Sequence, residues 1–423
     1  MARLALLGGR PVTRRGYRVR WPEVDERDVR AVCRVVRSGG WWRYSGREVE
    51  RFEREFGRFH QARHVLAVCN GTVALQAALR ALGVEAGDEV IVPAVTFIAS
   101  ASAVLLVQGV PVFADVVEET CQLDPEDVER KITPRTRAIM VVHYGGYPAD
   151  MDRILKVARR HRLPVVEDCA HAHGSEWRGR KVGCIGKVGT FSFQQSKSLT
   201  CGEGGAVVTD DPALHEAAYA YHHIGRVLGS GRYEHTSIGP NLRMTELQAA
   251  LLRTQLRKLP AQNRRRERCA RFLRRGLAEL PGIYPLPEDP RVTGRGYYFF
   301  VMRFEEEEFG VRRDDFVAAM RAEGAPVGVG YGQPVYRLPA FREMSFGRKG
   351  CPLTCRHYRG RMDYDRVRCP VAEELSYRKH LTLPAELLLE ERNAGLFLEA
   401  ARKVYRYRDE LRRPAGRGRS GGP

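Results

Sequence analysis

Lys197 stands in a polar, glycine-bounded stretch, Phe191-Ser-Phe-Gln-Gln-Ser-Lys197-Ser-Leu-Thr-Cys-Gly-Glu-Gly-Gly205, which follows an apolar run. A lysine amine becomes a nucleophile toward carbonyls when burial or neighbouring cationic and dipolar groups loosen its proton. The rival reading is a solvated surface lysine. Two features weigh against it: the chain has only nine lysines among its 70 basic residues, and the flanking glycines imply a backbone that turns tightly or approaches something closely. Upstream, the apolar run 163–167 ends in Asp168, followed by Cys-Ala-His-Ala-His-Gly. A carboxylate at the carboxyl end of a strand faces the ligand side of an α/β sheet, although an Asp there also serves as a turn or cap residue. A third element, Asn70-Gly-Thr72, joins an apolar run to a helical pattern. Asn70 can cap that helix, and the N–H groups of Gly71 and Thr72 then make an anion site suited to a phosphate. An ordinary strand–helix turn is the alternative.

These residues need elements to carry them. Residues 65–69, 89–92, 110–114, 138–143 and 164–167 read as strands, with shorter strands at 187–193 and 206–209. Helical periodicity marks residues 72–82, 97–107 and 151–162. Strands alternating with helices predict an α/β fold whose mostly parallel sheet is covered on both faces. A long helix is expected from Thr245, capped by a box with Gln248, to about residue 259; Pro260 should break or kink it before it resumes to about residue 280. Pro281, Pro285, Pro287 and Pro290 suggest a linker. The expected organisation is a large unit, residues 1–260, including an N-terminal arm; a smaller α+β unit, residues 261–412; and a Gly-, Ser- and Arg-rich tail, residues 413–423, expected to be disordered.

At 43% hydrophobic and 29% charged residues, the composition is that of a globular domain. No run of about 18 apolar residues predicts a membrane span, and the first twenty residues lack the apolar stretch of a secretory signal; the cytoplasm is the expected location. The formal charge of +19 raises nucleic acid as a partner. The arginines are spread along the whole chain without aromatic interleaving, so no nucleic-acid partner is expected. Ten scattered cysteines read as free thiols rather than a disulfide framework. Cys351, Cys355 and Cys369 beside His357 do not form a paired Cys-x-x-Cys zinc pattern, and no metal is expected.

Taken in order and spacing, six motifs resemble the DegT/StrS family of pyridoxal-phosphate aminotransferases of fold type I: residues 70–72, Val92-Pro-Ala-Val-Thr-Phe97, Glu167-Asp-Cys-Ala-His171, Phe191-Ser-Phe-Gln-Gln-Ser-Lys197, Gly202-Glu-Gly-Gly205 and Gly239-Pro-Asn-Leu-Arg-Met-Thr-Glu246. The resemblance spans about residues 6–411. It implies that Lys197 carries the cofactor as a Schiff base and that Asp168 pairs with the ring nitrogen. It implies Phe97 against the ring face, His171 at the ring hydroxyl, and Gly71, Thr72 and Ser192 around the phosphate. Asn241 would reach the phosphate from a partner subunit, so the resemblance implies a homodimer with shared active sites.

The stretch Gly330-Tyr-Gly-Gln-Pro-Val-Tyr-Arg-Leu-Pro-Ala-Phe341 resembles the branch acting on keto-cyclitols in aminoglycoside antibiotic pathways. That branch implies L-glutamine as amino donor and a scyllo-inosose or 2-deoxy-scyllo-inosose type of keto acceptor, with Tyr331 a candidate substrate residue. Arg243 is a candidate for the donor's carboxylate; its rival reading is a structural arginine paired with an acid. The alternatives are a nucleotide-linked keto-sugar as acceptor, an aminohydroxybenzoate-synthase-like activity, a dehydratase, which the presence of Lys197 argues against, and a non-catalytic cofactor-binding regulator.

Overall fold

A computed structural model describes residues 3–412 except 15, 18, 230–232, 344–349, 355, 359 and 361. The expected tail 413–423 lies outside the described residues. Seven strands form the principal sheet: β1 (His64–Val68), β2 (Glu89–Pro93), β3 (Val110–Ala114), β4 (Thr136–Val142), β5 (Val165–Asp168), β6 (Val188–Ser192) and β7 (Gly205–Thr209). Their order across the sheet is β1-β7-β6-β5-β4-β2-β3. Every neighbouring pair is parallel except the two made by β7, which runs antiparallel to β1 and β6. Strands covered by helices on both faces need apolar residues throughout rather than alternation, and every residue of β2, β3, β5, β6 and β7 is buried.

The parallel strands deliver the candidate residues to one end. β1 leads into Asn70, β2 into the segment holding Phe97, β5 ends in Asp168 and β6 in Ser192. The reversed strand closes the arrangement, since Gly205 at its start pairs with both Val68 and Ser192. A side chain there would strike the Asn70 carbonyl at 2.4 Å, so a glycine is needed where the two strand ends meet.

A second sheet of three antiparallel strands, β8 (Ile283–Pro285), β9 (Phe299–Phe304) and β10 (His380–Pro384), is ordered β8-β9-β10. It packs with the helices Arg313–Ala322 and Glu391–Arg406 in a core that includes Phe304, Phe316, Met320 and Phe397.

The expected break at Pro260 is absent. One helix runs from Glu246 to Leu277 with Pro260 inside it. An interior proline costs about 3 kcal/mol, but burial on both sides of it offsets that loss. Leu252, Leu256 and Leu259 pack with Phe52, Phe56 and Phe193, whereas Cys269, Leu273 and Leu277 belong to the core of the second sheet. Each fully buried leucine contributes roughly 1.5–3 kcal/mol. The boundary expected at residue 260 therefore falls within a continuous helix, at the point where one core hands over to the other. The expected proline linker likewise contains a strand, β8, because its residues complete the edge of the second sheet. The N-terminal arm also crosses over: Leu4 lies in the second core, and Glu323 accepts the backbone N–H groups of Ala5 and Val12. Among the described residues no helix is long and apolar enough to cross a membrane.

Candidate active site

The Lys197 loop is tied down at both ends. Phe193 N donates to Gly204 O at 2.7 Å, and Thr200 Oγ1 and Cys201 N both donate to Phe193 O. Lys197 N donates to Gln194 O. The amine is thereby held in a buried position, 9% exposed, 4.1 Å from the centre of the Tyr298 ring. Burial lowers its pKa to about 8, and the negative charge of Asp168 opposes the shift. Asp168 is buried at the end of β5. Burial raises its pKa, while an N–H from Ala170 and a hydroxyl from Ser100 act in the other direction. Ser100 Oγ donates to Asp168 Oδ2 at 2.9 Å, and Thr96 and Ser100 share a 2.8 Å hydroxyl pair. The rival reading of a surface lysine fails here, whereas Asp168 does make the bond of a turn aspartate, accepting from Ala170 N at 3.1 Å with Oδ1, in addition to its bond from Ser100.

Glu167, next in sequence to Asp168, faces another environment. Its oxygens accept from the backbone of Gly183, Ile185 and Gly186, and from His143 at 3.0 Å. Because His143 Nδ1 accepts from Ala149 N, its Nε2 carries the hydrogen given to Glu167. His143, Glu167 and Cys169 lie close enough to suggest a metal site, but these bonds already occupy the imidazole and carboxylate.

The start of the helix Gly71–Ala81 could hold an anion. The Asn70 side chain accepts from Val73 N at 3.0 Å, and the first N–H groups of a helix have no partner within it. A Cβ on Gly71 would lie 2.6 Å from Ser192 Cβ, so glycine there leaves the Ser192 side chain and the helix start facing one small space. Ser192 Oγ accepts a long bond from Gln194 N, which leaves its proton to donate. Two backbone donors, the Thr72 hydroxyl and a serine hydroxyl suit a phosphate. His173 steadies this side of the site: its Nε2 donates to Ser192 O at 2.8 Å, and its Nδ1 contacts Ser198 Oγ at 3.3 Å. Burial lowers its pKa to about 3, so the ring is neutral.

His171 is stacked on Tyr298, with ring centres 4.1 Å apart. Its Nδ1 accepts from Gly145 N and its Nε2 meets the Tyr331 hydroxyl at 3.1 Å. Tyr331 thus joins the site from the smaller unit. Phe97 lies 5.8 Å from the Tyr331 ring and is 51% exposed. Asn241 is exposed and accepts from Arg243 N; among the described residues of the single chain it makes no hydrogen bond to Lys197, Asp168 or Ser192. Arg243 bonds to His223 Nδ1 at 2.8 Å and has no acidic partner among the described residues, so the structural ion pair considered for it is not what holds it. Cys369 is buried, Cys351 is exposed, and Cys355 lies outside the described residues.

Ser100, His173 and Tyr298 were not predicted from the sequence. Ser100 had a signal, since it follows Phe97 by three residues, the spacing of one helical turn. His173 and Tyr298 had none that separates them from core residues.

A buried carboxylate at the end of a parallel strand, a buried amine in the loop after another and a helix start able to hold a phosphate suit an α/β enzyme that works on carbonyl chemistry with a phosphorylated aldehyde cofactor. Residues 22–393 match the DegT/DnrJ/EryC1/StrS aminotransferase family, and the chain belongs to it. It is an aminotransferase, and its cofactor is pyridoxal phosphate. It is 38% identical over 431 residues to L-glutamine:2-deoxy-scyllo-inosose aminotransferase of Micromonospora echinospora, covering 97% of this chain and 100% of that protein. It is 42% identical over 335 residues to L-glutamine:scyllo-inosose aminotransferase of Streptomyces griseus, covering 76% of this chain and 78% of that protein. The crystal structure of 3-amino-5-hydroxybenzoic acid synthase superposes with a TM-score of 0.83 at 36% identity, covering 93% of this chain and 100% of that one.

Proposed function

We propose that this enzyme moves the amino group of L-glutamine to the ketone of a cyclitol of the scyllo-inosose or 2-deoxy-scyllo-inosose type, as a step in aminoglycoside assembly. The observation that carries the reading is the buried Lys197 amine facing Asp168, in a chain that matches cyclitol aminotransferases along its length. Lys197 would hold the cofactor aldehyde, and its free Nζ would be the base that takes the proton from the donor's α-carbon and the acid that gives it back. Asp168, oriented by Ser100, keeps a proton on the ring nitrogen. Gly71, Thr72 and Ser192 bind the phosphate, and Phe97 covers the ring. The bound cofactor supplies the electron sink that lets the α-proton leave. Arg243 receives the donor's carboxylate.

The enzyme works as a homodimer in which Asn241 of one subunit completes the phosphate site of the other. Support comes from large apolar side chains left exposed in the single chain, among them Trp41, Trp42, Val227, Leu228 and, at 94% exposure, Ile238; grouped on one face, such residues mark association sites. We place the enzyme in the cytoplasm and keep the division into units 1–260 and 261–412.

The test is direct. Glutamine should bleach the yellow of the purified holoenzyme, scyllo-inosose should restore it, and mass spectrometry should find the amino-cyclitol. Absence of bleaching with any amino acid sinks transamination; turnover of a nucleotide-linked keto-sugar instead sinks the cyclitol assignment. A second reading, synthesis of an aminohydroxybenzoate, is favoured by the 0.83 superposition, and the same assay with a cyclic keto-acid precursor separates it.

A further inference from the structure

A groove of about 800 Å³ runs between the long helix Glu246–Leu277 and the segment that leads into β9. It is lined by six cationic and four acidic side chains, and none of its lining residues belongs to the site around Lys197. Three of the acids are matched by cations of the groove itself: Glu176 with Lys181 at 2.6 Å, Glu267 with Arg271 at 3.6 Å and Glu288 with Arg274 at 3.6 Å. The fourth, Asp289, is taken by Arg291, which does not line the groove. Among the described residues that leaves Arg264, Arg268 and Arg295 facing the space without an acidic partner.

Arg274 and Arg295 differ from ordinary surface arginines. The Arg274 side chain is 14% exposed, whereas that of Glu288 is 77% exposed, so their contact is solvated and contributes little. Arg295 is half-buried, its guanidinium 4.4 Å from the centre of the Tyr147 ring. Burial lowers the Arg274 pKa, and the like charge of Arg295 acts in the same direction. Arg274 Nη1 donates to Leu286 O at 2.9 Å and Arg295 Nη2 to Pro287 O at 2.8 Å. A guanidinium is a fork of several N–H donors, so each retains donors for a further acceptor. Two like charges near enough to repel, and partly withdrawn from water, are stabilised when an anion joins them.

We propose that this groove is a second anion site, which binds the phosphate group of a small molecule between Arg274 and Arg295, with Arg268 at its rim. Phosphate suits the groove better than a carboxylate does, because a dianion with several oxygens can engage more than one guanidinium at once. The bound group would tie the helix that carries Arg274 to the segment that carries Arg295, and so stabilise the folded chain.

The test uses holoenzyme, so that the cofactor already occupies its own phosphate site. Calorimetric titration at low salt with inorganic phosphate, and separately with glucose 6-phosphate, should show a saturable site, and either probe should raise the thermal unfolding midpoint. The tighter of the two tells whether free phosphate or a phosphate ester is the ligand. Arg295→Ala and Arg274→Lys should each weaken binding at least about tenfold, the scale of a charge-assisted hydrogen bond. Arg268→Ala, an exposed substitution that disturbs no packing, should weaken it about threefold. Arg392→Ala, which removes an exposed arginine on the helix Glu391–Arg406, should leave it unchanged. Absence of saturable binding of both probes at about 1 mM, or binding that Arg295→Ala and Arg268→Ala leave intact, overturns the inference. So does equal weakening by Arg392→Ala, which would mean that phosphate responds only to net charge.

Discussion

The Ser100 hydroxyl donates to Asp168 Oδ2 at 2.9 Å, so the carboxylate at the end of β5 is oriented by a residue on the neighbouring helix Ala99–Leu106. A hydrogen bond to a charged group contributes about 1.5–3 kcal/mol. Ser100→Ala should therefore lower kcat/KM at least about tenfold, while circular dichroism stays unchanged. Asp168→Ala should lower it by a further factor of ten or more. Equal activity of Ser100→Ala and the parent would show that the hydroxyl is dispensable.

Lys197 gives the cofactor-free chain a distinct pH dependence. Its amine titrates near 8 when folded, below the ordinary 10.5. Between those values the unfolded chain binds the extra proton and the folded chain does not, so stability rises with pH across the window. Below pH 8 the buried ammonium is a standing cost. Urea denaturation of the apo-protein from pH 7.5 to 10 should show this rise against the background of other groups, and Lys197→Met should flatten it and be more stable at pH 7.5.

Gly71 matters because of its neighbour Ser192. With 2.6 Å between a Cβ at 71 and Ser192 Cβ, Gly71→Ala must displace the helix start or the end of β6. Cofactor affinity, read by fluorescence titration of the apo-protein, should fall at least about tenfold, because the displaced groups are the proposed phosphate donors. Ser192→Ala, which removes a hydroxyl without a clash, should cost less.

The proposed dimer can be broken at its most exposed apolar residue. Ile238→Asp should give a monomer by analytical ultracentrifugation and should weaken cofactor retention, since Asn241 would no longer reach the other subunit. A dimeric Ile238→Asp protein would place the interface elsewhere.

Much of this organisation was legible without coordinates. Apolar runs of four to seven residues, each followed by a helical pattern, located the strands of the principal sheet because a strand covered on both faces leaves no room for polar alternation. Asp168 was legible because it is a charged residue at the end of such a run, and Lys197 because it is one of nine lysines and stands in a polar stretch bounded by glycines. Pro260 misled because its local cost is visible in one residue, whereas the compensating burial of Leu252, Leu259, Leu273 and Leu277 is spread over two cores. The strand Ile283–Pro285 was hidden among prolines because its partner, β9, follows some distance along the chain.

The sequence by itself determined the strand and helix periods, the glycines that let backbones close on one another, and the identity of the amine and the carboxylate, all of which follow from residue type and local spacing. Tertiary structure alone decided which side chains serve them. Ser100 meets Asp168, His173 meets Ser192, Tyr298 lies against Lys197, and Tyr331 crosses from the second unit to His171. Those pairings join residues up to 160 positions apart, and the direction of a hydrogen bond between them depends on which partner the other nitrogen has already taken, a choice that exists only once the chain has folded.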